Sequence, residues 1–124
     1  MLPREQRLTD AAGFALAVRR GRRAGGRLLV VHLGEAPDHP PGKGDPVARV
    51  GFIVSKAVGT AVVRNRVRRR LRHLSRERVS ALPQASVLVV RAQPGSAGAT
   101  YGELAGELDR CLGRVLGTMV EAEA

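Results

Sequence analysis

The sequence predicts an α/β (α+β) sandwich, a small sheet with three helices in one domain spanning 1–124, and three observations carry that expectation. Apolar residues recur at helical spacing in three separate stretches. Short runs rich in Val and Leu lie between them, and Gly, Pro and capping residues punctuate the junctions. The resulting order is α-β-β-α-β-α, with no internal repeat and no linker long enough to divide 124 residues. A hydrophobic fraction of 44% supplies a core and excludes wholesale disorder.

The first predicted helix begins at Asp10, an N-cap for the unpaired amides of the first turn, and carries Ala11, Phe14, Ala17 and Val18 at helical spacing before Gly21. A basic, glycine-rich connection over 19–27 follows. Residues 28–33 read as a strand covered on both faces, because the run is nearly all Leu and Val. Four prolines and two glycines make 35–46 a loop. A second strand is expected over 47–55, with Ala48, Val50, Phe52 and Val54 on its apolar side and Arg49, Gly51 and Ser55 on the more polar one.

Gly59-Thr60 offers a turn and an N-cap for a helix over 61–79. Ser86–Arg91 is a third strand, and 93–99 a loop. Thr100-Tyr-Gly-Glu103 has the form of a capping box. It opens a last helix with Leu104, Leu108, Cys111, Leu112, Val115 and Met119 on one side.

Charge narrows the function classes. Lys plus Arg is 21 against 11 for Asp plus Glu, a net charge of +10, which calls for a polyanionic partner. No apolar run approaches ~18 residues, so no membrane span is expected. The start, Met1-Leu-Pro-Arg-Glu-Gln-Arg, lacks the apolar stretch of a signal peptide. Cys111 is alone, so no disulfide forms within the chain. The expectation is a soluble, cytoplasmic, basic domain. Residues 1–34 hold seven Arg and two acids, whereas 103–123 hold five acids and two Arg, which places the last helix away from the binding surface.

The charge concentrates in residues 64–78, where eight Arg stand against Glu77 alone. At ~100° per residue, Val63, Val67, Leu71 and Leu74 form one anchoring stripe. Asn65, Arg69, Arg72 and Arg76 project from the opposite side with Arg68 beside them. Arg66, Arg70 and His73 fill one flank, Arg64 and Ser75 the other. A solvated helix would intersperse acids four residues away. Here like charges stack at i+3 and i+4, at a cost of a few tenths of a kcal/mol per pair. A phosphate backbone removes that cost and releases its own counterions.

The block Val50-Gly-Phe-Ile-Val-Ser-Lys-Ala-Val-Gly-Thr-Ala-Val-Val-Arg-Asn-Arg-Val-Arg-Arg-Arg-Leu-Arg72 closely resembles the signature of the bacterial ribonuclease P protein component: a strand ending in Ser-Lys, a Gly turn, then a helix opening with Arg-Asn-Arg. The opening Leu2–Leu8 segment, Phe14, Gly21, the short third strand and the last helix fit the same family in the same order. The resemblance implies a sandwich with a left-handed β-α-β crossover, an exception to the usual hand. It implies two RNA partners, the catalytic RNA of ribonuclease P and the single-stranded 5′ leader of precursor tRNA, with no other protein required. Hydrolysis would be the RNA's work, assisted by Mg²⁺ ions held mainly by that RNA.

By position, the family's RNA-binding residues become Ser55, Lys56, Arg64, Asn65, Arg66, Arg68, Arg69, Arg72 and Arg76. Its leader cleft, between the first helix and the sheet, becomes Phe14, Val18, Val31 and Arg49. Three positions depart from the family pattern: Val18 and Val31 stand where aromatics are common, and Ala57 where a second Lys is common.

Two other classes compete with this reading. A self-contained enzyme needs convergent nucleophiles, acid–base pairs or ligands. His32, His39 and His73 are scattered, Asp38 and Asp45 lie on the Pro/Gly loop, and Gly42-Lys43-Gly44 lacks the flanks of a phosphate loop. A ribosomal or DNA-binding protein could use the same basic helix, because phosphate contacts carry no sequence information. Only the Ser-Lys, Gly, Arg-Asn-Arg order separates it from the family reading.

Overall fold

The computed structural model describes residues 22–35, 48–82 and 86–123. The helix expected from Asp10, with Phe14 and Val18, and all but the first residue of the loop expected over 35–46 lie outside the described residues. The elements are β1 (Arg22–Gly25), β2 (Leu29–Glu35), β3 (Arg49–Ile53), α1 (Ala61–Arg78), β4 (Ser86–Ala92) and α2 (Tyr101–Glu123), with 3-10 turns at Lys56–Val58, Val79–Ala81 and Pro94–Gly98. The described residues thus hold two of the three expected α-helices, and the expected 93–99 loop is mostly one such turn.

The four strands form one sheet in the order β1-β2-β4-β3. β1 and β2 are an antiparallel hairpin, β2 and β4 are antiparallel, and β3 runs parallel to β4. The sheet has four strands rather than three because Arg22–Gly25, expected as part of a connection, pairs with Val30–Leu33. The hairpin turn is held from outside. The buried Glu107 carboxylate of α2 accepts the backbone N–H of Leu28 at 2.5 Å and of Leu29 at 2.6 Å. Gly26 faces that carboxylate, and a Cβ there would collide with Oε1 and Cδ of Glu107.

Ladder register assigns each side chain to a face. Leu29, Val31 and Leu33 stand beside Ala92, Val90 and Leu88 of β4, and these beside Val50 and Phe52 of β3. That face carries both helices: Val67, Leu71 and Leu74 of α1 and Leu104, Leu108, Cys111, Leu112 and Val115 of α2 join it in one core. Burying each such Leu or Val is worth roughly 1.5–3 kcal/mol. The opposite face bears Arg23, Val30, His32, Val87, Val89, Arg91, Arg49 and Gly51.

The β3–α1 junction is built by local chemistry. Gly59 adopts φ +153°, a conformation essentially reserved for glycine, and its backbone N–H closes the 3-10 turn on the Lys56 carbonyl. Thr60 then caps α1, its hydroxyl accepting the N–H of Val63 at 3.4 Å. At α2 the capping box forms in both directions: Glu103 N–H donates to Thr100 Oγ1 at 3.1 Å, and Thr100 N–H to Glu103 Oε1 at 2.9 Å.

Candidate nucleic-acid interface

α1 is rotated as the apolar spacing predicts. Val67 and Leu71 are 0% exposed and Leu74 1%, with Val63 packed against the same core. Asn65, Arg66, Arg69, Arg72 and Arg76 are exposed on the outer side, while Arg64 and Arg68 are half-buried. Ser75, expected on a flank, is instead buried. It lies about 40° around the helix from Leu71, and its small side chain fits under the same contact.

The eight arginines divide by what they touch. Arg66 donates to the Ala97 carbonyl at 3.3 Å and Arg70 to the Ala99 carbonyl at 3.1 Å, which fastens α1 to the segment leading into α2. Arg68 donates to Asn65 Oδ1 at 3.0 Å. Arg78 makes a two-pronged contact with Asp109 of α2, at 2.5 and 3.1 Å. That pair holds the Asp109 carboxyl below its ordinary range and raises Arg78 further above its own. Arg64 Nε is buried without a hydrogen-bond partner among the described residues. Arg69, Arg72 and Arg76 make no hydrogen bond or ion pair with a described residue, so their charge is directed at solvent.

A shallow groove along the outer side is lined by Val62, Asn65, Arg66, Arg68, Arg69, Arg72 and His73. His73 Nε2 lies 3.7 Å from Glu77, and its ring meets that of Tyr101 edge-on, centroids 6.0 Å apart at 60°. Carbonyl and amide partners do not neutralise a guanidinium, so the groove keeps its cationic character and every donor beyond those already used. It can grip a phosphate backbone; it has no nucleophile–base arrangement.

Ser55 and Lys56 are exposed at the end of β3, on the short path into α1, and so extend the basic helix toward the sheet. Arg49 is exposed on the sheet face turned away from the helices. Val31 does not join it. Paired with Val90 and 0% exposed, Val31 belongs to the core under the helices, so the expected cleft pairing of Val31 with Arg49 is corrected. The β2 residues on Arg49's face are Val30, His32 and Gly34.

His32, a lone histidine within the apolar β2 run, shares the face of Arg49. It lies opposite Arg23 in the ladder, is 5% exposed, and its Nδ1 has no partner among the described residues. Burial, then the neighbouring charges of Arg23 and Arg91, push its pKa below the ordinary histidine value. The signal available was the strand period: an odd–even count through 28–33 puts His32 opposite in phase to Val31.

The carboxylates with described side chains are already committed. Glu107 holds the hairpin and Arg110, Asp109 holds Arg78, Glu103 caps α2, and Glu77 sits between His73 and Arg78. No group of three or more His, Cys, Asp or Glu able to hold a metal occurs among the described residues. These residues do not fit an Mg²⁺ ion, and no chemical step is assigned to a metal held by them.

Comparison with known proteins agrees with this geometry. The family model Ribonuclease P matches residues 2–116. The chain is 59% identical to the ribonuclease P protein component of Streptomyces avermitilis, over 94% of this chain and 97% of that one. It is 45% identical to that of Mycobacterium avium, over 93% and 95%. Among solved structures, a variant of Staphylococcus aureus RNase P protein superposes with a TM-score of 0.72 at 25% identity, covering 86% of this chain and 85% of that one. The Thermotoga maritima protein shares the fold, with a TM-score of 0.68 at 20% identity over 83% and 94%. An outward-facing arginine helix carried between two parallel neighbouring strands, and a family match over nearly the whole length, lead to one conclusion: the chain belongs to the bacterial ribonuclease P protein family.

Proposed function

We propose that this chain is the RNA-binding protein subunit of a cytoplasmic ribonuclease P, gripping the catalytic RNA through α1 and the 5′ leader of precursor tRNA across the second sheet face. The observation that carries the reading is the division of α1: a fully buried stripe on one side, and Arg69, Arg72 and Arg76 turned to solvent on the other. Ser55, Lys56, Arg64, Asn65, Arg66 and Arg68 extend that grip. In this reading the RNA carries out Mg²⁺-dependent hydrolysis, and the protein supplies counter-charge that lets two polyanions approach each other. No other protein is required.

In this reading the leader runs along the exposed Arg23, Arg49 and Arg91 of that face, with His32 buried beneath them. Phe14 and Val18, outside the described residues, complete that cleft in the family reading. The β3–α1–β4 crossover takes the left-handed path that the family implies. Parallel pairing of β3 with β4, neighbours in the sheet, is what makes it a crossover at all.

Reconstitution tests the reading. Protein plus cognate catalytic RNA processes the 5′ end of precursor tRNA at low Mg²⁺, the RNA alone only at high Mg²⁺ or high salt, and the protein alone never. Filter binding at one salt concentration then ranks catalytic RNA above duplex DNA and ribosomal RNA. Equal affinity for all three would return the protein to the general nucleic-acid binders, and cleavage by nuclease-free protein alone would make it an enzyme in its own right.

A further inference from the structure

We propose that Tyr101, backed by His73, is a base-stacking platform for an unpaired nucleotide of the catalytic RNA; the proposal rests on the reading of α1 given above. Tyr101 and Val62 are the exposed large hydrophobic residues among the described ones; Val62 lies on the arginine helix and Tyr101 meets it at His73. An aromatic ring left 38% open beside a dense cationic surface is poorly placed for core packing and well placed for a nucleobase.

Its position is fixed on several sides. The reciprocal Thr100–Glu103 cap sets the first turn of α2, where Tyr101 sits. Arg66 and Arg70 of α1 bind the Ala97 and Ala99 carbonyls just before it, so the ring cannot drift from the arginine face. His73 braces the ring edge-on while also lining the phosphate groove with Arg69 and Arg72. Backbone held in that groove therefore brings its bases alongside the ring. A rigid aromatic has little conformational freedom to lose on stacking, and every base has a π-face to offer.

The location selects the partner. Tyr101 and His73 belong to the helix layer, whereas the face with Arg49 and His32, proposed for the leader, is on the other side of the sheet. The nucleotide that stacks here is an unpaired one of the catalytic RNA, next to the helix its phosphates engage.

The chain offers its own probe, since Tyr101 is the single tyrosine and there is no tryptophan. Tyrosine emission, corrected for RNA absorbance, is quenched when the full-length protein is saturated with catalytic RNA and is unaffected by a leader oligonucleotide. Tyr101→Ala and Tyr101→Leu weaken binding of the catalytic RNA by about 5- to 150-fold, and Tyr101→Phe binds as the parent does. The slope of log K against log salt is unchanged in all three, because no phosphate contact is lost. Tyr101→Leu keeps an apolar contact on His73 without a π-face, so a folding defect in Tyr101→Ala leaves the test intact. Emission unchanged at saturation, or folded Tyr101→Leu binding like the parent, overturns the platform. Quenching by the leader oligonucleotide instead overturns its assignment to the catalytic RNA. If the parent protein shows no preference for catalytic RNA over duplex DNA, the reading of α1 falls first and takes the platform with it.

Discussion

α1 and α2 each bury an apolar stripe in the same core and differ sharply in what they do with charge. α2 commits acids to contacts within the protein: buried Glu107 to the hairpin N–H groups and exposed Asp109 to Arg78. α1 keeps Arg69, Arg72 and Arg76 out of every described internal contact. The contrast separates charge that holds a fold from charge that serves a partner. Sequence composition sees both only as a total of +10.

The largest effects should come where the helices are alike. Leu71→Ala in α1 and Leu108→Ala in α2 each remove a 0%-exposed side chain, and each should cost about 2–5 kcal/mol in denaturant unfolding. A clearly smaller loss for Leu71→Ala would show that α1 is less firmly seated than α2.

Next come the acids of α2. Glu107→Ala leaves the buried N–H groups of Leu28 and Leu29 without their acceptor and should cost about 3 kcal/mol, with RNA affinity of the folded protein unchanged. Gly26→Ala should be damaging in the parent and much milder beside Glu107→Ala, because the colliding carboxylate is gone. Additive losses in that cycle would show that Gly26 answers to something other than Glu107.

The arginines of α1 invert the pattern. Arg69→Ala and Arg72→Ala should leave stability within about 0.5 kcal/mol. Each should lower the salt slope of RNA binding by about 0.7 to 0.9. A lowered melting temperature with unchanged affinity would place these side chains inside the fold.

The smallest effect is a pH dependence on the far sheet face. His32 is held below its ordinary value of 6.5, so the unfolded chain takes up a proton more readily than the folded one. Stability should be full above about pH 6.5 and decline as pH falls through the lower folded-state value. Asp109 and Glu103, also lowered, act in a more acidic window below their ordinary 3.8 and 4.5. His32→Val should remove the first decline and spare the second; an unchanged first decline would assign it to another group.

What the sequence could and could not say follows from the range of the interactions. The face of α1 was legible because Val63, Val67, Leu71 and Leu74 sit at the helix period. The start of α2 was legible because Thr100 and Glu103 find each other within one turn. β1 was not, since Arg22-Arg-Ala-Gly25 has no apolar alternation and its turn is held by a carboxylate 78 and 79 residues away from the amides it binds. The face of β2 was not legible either: Val31, grouped with Arg49 in the sequence, lies on the opposite side of the sheet from it. A run buried on both faces carries no internal mark of phase, and only the ladder to β4 supplies it.

The position of β4 sets an order on biosynthesis. It is the last strand made, yet it lies between β2 and β3 and is the only link between them in the sheet. Until residues 86–92 leave the ribosome, β3 has no partner strand among the described residues and the β1–β2 hairpin has no third strand among them; a lone hairpin is only marginally stable in water. The arginine helix is therefore synthesised before the surface that seats it exists. Its apolar stripe and its cationic side are exposed together in the nascent chain, and they part company only when β4 inserts and α2 arrives to pin the hairpin. A chain stopped short of Ser86 would lack both the strand that joins β2 to β3 and the carboxylate that holds the hairpin turn.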